Sequence, residues 1–140
     1  MGRYKRWTAT AVLVLAVAGC AKTPEAAELV GPATLAPVPG SDVQQVTLTA
    51  KAIERLDLQM APVAQEGAER VIPYGAVVYD AGGQTWAYTS PKPRTFVRST
   101  ITVTRITGEK AFLSDGPAVG TPVVTVATAE LYGTEAGIGY

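Results

Sequence analysis

The chain of 140 residues carries 12 basic and 12 acidic side chains, so it has no net charge, and beyond residue 7 no cluster of Lys or Arg marks a nucleic-acid surface. Histidine is absent and cysteine occurs once, at Cys20, which removes the commonest general base and zinc ligand and forbids a disulfide within the chain. The length suffices for one domain and is short for two.

Arg3, Lys5 and Arg6 precede an uncharged run, Thr8–Ala18, whose centre reads Ala-Val-Leu-Val-Leu-Ala-Val. A membrane-spanning helix needs about 20 apolar residues, so the run is too short to cross and fits the apolar core of a secretory signal. Val17-Ala18-Gly19-Cys20 resembles the lipobox of bacterial lipoproteins, in which the thiol takes up diacylglycerol before the signal peptidase cuts in front of the cysteine. The expectation is a signal peptide over 1–19, cleavage between Gly19 and Cys20, and a lipid on Cys20 as the membrane anchor. That places the protein in the cell envelope, on the outer face of the cytoplasmic membrane or in the periplasm of a host with two membranes. The other readings are an ordinary secretory signal with an incidental Cys20 and a short uncleaved anchor. Cleavage removes three basic residues and leaves nine against 12 acidic ones, a net charge of −3.

Residues 20–42 read as a lipid-anchored flexible linker, with Pro24, Pro32, Pro37 and Pro39 among Ala, Thr and Gly. Residues 43–130 read as the folded domain. Val43–Thr49 alternates with period two, and Thr49 can cap a helical turn or two over Ala50–Leu56, with Ile53 and Leu56 three apart. Asp57–Val63 returns to alternation with Leu58 and Met60 on one side, Met60 being read as core, and Glu69–Pro73 is a further short strand. Ala76–Tyr79 and Gln84–Tyr88 flank Asp80-Ala81-Gly82-Gly83, a hairpin signal because tight turns need positive φ. Thr95–Ile106 reads as one long strand, Thr107-Gly108-Glu109 as a turn, and Lys110–Leu113 as the returning strand. Ser114–Gly120 is a loop, Pro122–Ala127 a strand buried on both faces, and 131–140 a tail that frays or docks. These elements predict an all-β fold, a small antiparallel barrel or sandwich of seven or eight short strands with at most one short helix.

No pattern points to catalysis. None of Ser41, Ser90, Ser99 and Ser114 sits in a Gly-x-Ser-x-Gly elbow, and the carboxylates are scattered through turns and strand ends. Met60, the one thioether left after cleavage, does not make a copper site, and Gly82-Gly83 lacks the context of a phosphate loop. The expectation is therefore a protein that is not an enzyme and uses neither metal nor cofactor. Tyr79, Trp86 and Tyr88 read as core or cross-strand pairs, with a ligand-stacking patch as the alternative.

The order of several segments carries a resemblance. Ile72-Pro73-Tyr74-Gly75-Ala76-Val77-Val78-Tyr79-Asp80, then Gln84-Thr85-Trp86-Ala87-Tyr88, resembles the membrane-proximal domain of periplasmic adaptor (membrane-fusion) proteins of RND-type efflux pumps. Phe96–Val103 and Asp115–Val124 are similar to the elements that follow in that family, and Leu48–Val63 is similar to its segment near the mature N-terminus. Only eight residues separate Val63 from Ile72, where family members carry a coiled-coil hairpin, a lipoyl-like domain and a barrel. The resemblance implies an accessory lipoprotein whose domain docks on an efflux-type membrane transporter, with Tyr74, Trp86 and Tyr88 as candidate partner contacts. The alternative is a lipoprotein that binds a small ligand or envelope polymer in a barrel mouth.

Overall fold

The computed structural model describes residues 31–138. The expected signal peptide, Cys20, the linker as far as Val30 and the last two residues of the tail lie outside the described residues. The described chain is all-β, with eleven strands in two antiparallel sheets and two helices, of which the second exceeds the single helix expected. Neither sheet closes on itself, so of the barrel or sandwich expected the architecture is the sandwich-like one.

The elements are β1 (Ala33–Pro37), β2 (Gln44–Leu48), α1 (Ala50–Arg55), β3 (Gln59–Pro62), β4 (Ala64–Glu66) and β5 (Glu69–Pro73). A 3₁₀ turn (Tyr74–Ala76) leads to β6 (Val78–Tyr79), β7 (Thr85–Lys92), β8 (Thr95–Thr100), β9 (Thr102–Thr107), β10 (Lys110–Asp115), β11 (Pro122–Val126) and α2 (Thr128–Glu135). The larger sheet runs β1-β2-β8-β7-β11-β3, with β6 also on β7, and the smaller runs β4-β5-β10-β9. The long β7 accommodates three neighbours because β6 pairs at Thr85 and Trp86 while β11 joins further along, at Thr89.

Two strands pass from one sheet to the other through a single buried residue each. Val63 links β3 to β4, and Ile101 links β8 to β9. The long strand expected over Thr95–Ile106 is therefore broken. Its break is stabilised by β7: the Ile101 N–H donates to the Thr85 carbonyl and the Thr85 hydroxyl donates to the Ile101 carbonyl, so neither backbone group is left unpaired.

Neighbouring strand residues point to opposite faces, and the larger sheet uses both. Ala87 and Val123 join Val63, Ile72, Ile101, Ala111 and Leu113 between the two sheets. Tyr88 and Val124 join Val46, Leu48 and Phe96 on the other face, under Ala52 of α1 and Leu131 of α2. The result is a layer of helices, a large sheet and a small sheet. Val123 and Val124 are both fully buried, as the sequence reading of that strand expects.

α1 begins where Thr49 accepts the Ala52 N–H at 3.1 Å, the cap read from the sequence. Two segments depart from expectation, and the tail, expected to fray or dock, docks. Ala33–Pro37, read as linker, is an edge strand in register with β2; proline is tolerated there because the outer side of an edge makes no ladder bonds. Met60, read as core, is 39% exposed, because β3 is the other edge of the larger sheet. The tail contains most of α2, whose Leu131 and Glu135 are buried.

Candidate docking surface

The region that the resemblance singles out is built around the hairpin of β6 and β7. Asp80 organises its turn: the carboxylate accepts the Trp86 indole N–H at 3.0 Å and the Gly82 and Gln84 amide N–H groups at 2.9 Å. The Trp86 bond foremost, then the Gln84 bond, holds the Asp80 carboxyl below its ordinary value. Gly83 supplies the positive φ of +80° that the tight turn needs. At the entry to β6, a Cβ on Gly75 would lie 2.9 Å from the Thr125 carbonyl oxygen, so glycine lets the 3₁₀ turn press onto β11.

The three candidate contacts do not share one surface. Tyr74 is exposed on the 3₁₀ turn, with its N–H donated to the Glu109 carbonyl at 2.7 Å. Trp86 is half-buried, its ring beneath the Arg98 guanidinium at 4.4 Å. Tyr88 is fully buried and cannot meet a partner. Two residues apart on β7, Trp86 and Tyr88 face the helices, which is why they leave the surface that Tyr74 occupies.

Tyr88 belongs instead to a buried polar network that the sequence did not signal. Its hydroxyl donates to Glu135 Oε2 at 2.5 Å, while Glu135 Oε1 accepts from Arg98 Nε at 2.9 Å and from the Gln44 N–H at 3.1 Å. Burial, and then the bond to Glu135, push the Tyr88 hydroxyl well above its ordinary value. The Arg98 guanidinium also lies 5.8 Å from the Tyr132 ring centre. Every partner in this network is satisfied, and its effect is to pin α2 across β2, β7 and β8. Glu135 stands 37 residues from Arg98 and 47 from Tyr88, so no local spacing reveals the site.

What does remain open is a cleft of about 550 Å³ between the hairpin and β9, whose walls include Tyr79, Gln84, Thr85 and the run Thr102–Ile106. β9 ends the smaller sheet, so one of its edges has no strand partner. Tyr79 and Ile106 are exposed large side chains on this cleft. Burial first, and Tyr74 second, push the Tyr79 hydroxyl above its ordinary value. Arg105 is held on the outer face by Glu69 and covers the Phe112 ring at 3.6 Å, so it does not close the edge. The register of β9 against β10 shifts around Thr104, a bulge that bends the strand. Sequence reasoning included Tyr74, read Tyr79 as core or a cross-strand pair with a stacking patch as the alternative, and missed Ile106, because alternation alone does not tell which strand ends a sheet.

Among the described residues no group of three or more Cys, His, Asp or Glu side chains is placed to hold a metal, and no helix is long and apolar enough to cross a membrane. Comparison with family models, with curated proteins and with solved structures finds no match to the chain.

Proposed function

We propose that this protein is a non-enzymatic, lipid-anchored accessory lipoprotein that docks its β-domain on an efflux-type membrane transporter. The observation that carries the reading is the open edge of β9 beside exposed Tyr79 and Ile106. Such an edge offers backbone N–H and C=O groups to an added strand, and neighbouring apolar side chains give that strand a register. The lipobox-like Val17–Cys20 and the ordered adaptor-like segments point to a membrane-bound partner. A tether raises the effective concentration of a weakly binding domain near that partner.

The test is capture of the intact protein from gently solubilised membranes, beside Cys20→Ala and Ile106→Lys variants. One transporter enriched with the wild type, and lost with Ile106→Lys, supports the reading. Loss with Cys20→Ala assigns the effective concentration to the anchor. Recovery of bulk membrane proteins alone refutes docking. The alternative of a ligand in a barrel mouth lacks the closed barrel it needs, so a ligand reading passes to the grooves on the surface.

A further inference from the structure

The helix layer does not cover the larger sheet completely. Between α1, α2 and the first two strands runs a groove of about 450 Å³, within the range of ligand sites. Leu48, Ala52, Leu56 and Ile138 are among its walls, and none of its lining residues is aromatic. The Thr134 hydroxyl donates to the Glu130 carbonyl and is thereby engaged within α2. A peptide or a sugar brings polar groups that such walls leave unpaired, whereas a hydrocarbon chain brings none. Two charges of opposite sign also line the groove, Arg55 from α1 and Glu130 from α2. Neither forms an ion pair among the described residues.

We propose that this groove binds one acyl chain of a zwitterionic phospholipid, with the lipid phosphate at Arg55 and the headgroup ammonium at Glu130. The charge pattern selects this occupant: a fatty acid would leave Glu130 opposed to its own sign, and an alkyl cation would do the same at Arg55. The proposal rests on the anchoring part of the reading above and is independent of the transporter. Pro32, on the groove wall, stands 12 residues from Cys20, a reach of at most about 40 Å when extended. A lipidated protein thus keeps the groove within reach of the bilayer.

The experiment places the intact protein in phosphatidylethanolamine vesicles doped with phosphatidylethanolamine that carries a photoactivatable diazirine in one acyl chain. Illumination and peptide mapping locate the label, and the mass of the intact protein reports separately whether Cys20 bears diacylglycerol. The expected result is label in residues 48–56 and 129–138, at least fivefold lower in Ala129→Leu. That variant fills the groove from an exposed helical position without entering the core. Arg55→Gln and Glu130→Gln are each expected to lower the label and to reduce the preference for phosphatidylethanolamine over phosphatidylglycerol. Absence of label from those two segments overturns the assignment, as does undiminished label in Ala129→Leu. Label confined to residues 1–30 with the diacylglycerol mass present overturns the groove and keeps the anchor. Label in both helical segments without that mass keeps the groove and removes the anchor.

Discussion

Between the two sheets the larger sheet packs into an aliphatic cluster, Ile72, Ile101, Leu113 and Val123 among its members, whereas on its opposite face the Arg98 guanidinium and the Tyr88 phenol meet the Glu135 carboxylate of α2. The first core gains stability in proportion to area and tolerates imprecise geometry. The second combines Tyr88, Phe96 and Leu131 with a network whose members depend on one another, because a buried polar group without its partner costs more than its bond contributes. The same sheet therefore has one side specified by pattern and one specified by particular residues far apart in the chain.

The sharpest way to break this contrast is Glu135→Ala. It strands Arg98 and the Tyr88 hydroxyl and is expected to cost roughly 3–5 kcal/mol in urea unfolding. Amide exchange should rise first in Thr128–Glu135, since α2 loses its anchor while the aliphatic core keeps its contacts. Leu113→Ala, in the other core, is expected to cost about 3 kcal/mol from lost transfer energy and the cavity left behind. Its signature is global, with no selective opening of α2. Equal local exchange in the two variants would erase the distinction between the faces.

The elements set by nearest neighbours were legible in the sequence. Thr49 as a cap, the Asp80–Gly83 hairpin and the doubly buried Val123-Val124 pair each follow from chemistry within a few residues. α2 was not legible: Thr128, Thr134 and Gly133 are poor helix formers and only Leu131 and Tyr132 supply apolar contacts, so tertiary burial and Glu135 decide its state. β1 was hidden by Pro32 and Pro37, which mark linkers and edge strands alike. The candidate site was half visible, because Tyr74 lies on the surface as expected while Tyr88, two positions beyond the half-buried Trp86, lies in the core.

Acid and alkali sharpen the comparison further. The Tyr88 hydroxyl titrates higher in the fold than in the unfolded chain, where its value is about 10, so its contribution is whole below about pH 10 and falls as the pH rises beyond it. Thermal unfolding above pH 10 should show this loss, and Tyr88→Phe should lessen the alkaline slope. The Asp80 and Glu69 carboxyls titrate lower in the fold, the latter chiefly through Arg105. Their contributions are present above about pH 4 and vanish as the pH falls below it. Asp80→Asn should flatten the acid limb while leaving the alkaline one intact.

The smallest expected effect lies outside both cores. Arg94 turns the chain between β7 and β8 at a φ of +61°, a region that disfavours a side chain. Arg94→Gly is expected to change stability by no more than about 1 kcal/mol, in the stabilising direction, read as a small rise in Tm.

The position of β1 has a mechanical consequence. The chain enters the domain at Pro32, so tension on the preceding segment is borne first by β1, through its five paired positions with β2 and the bond from the Thr49 N–H to the Pro32 carbonyl. Pro32 and Ala33 are also walls of the groove under the helices. A pull that peels back this edge strand deforms the groove before it disturbs either core, so tension on the chain ahead of Pro32 is transmitted to the apolar groove between the two helices.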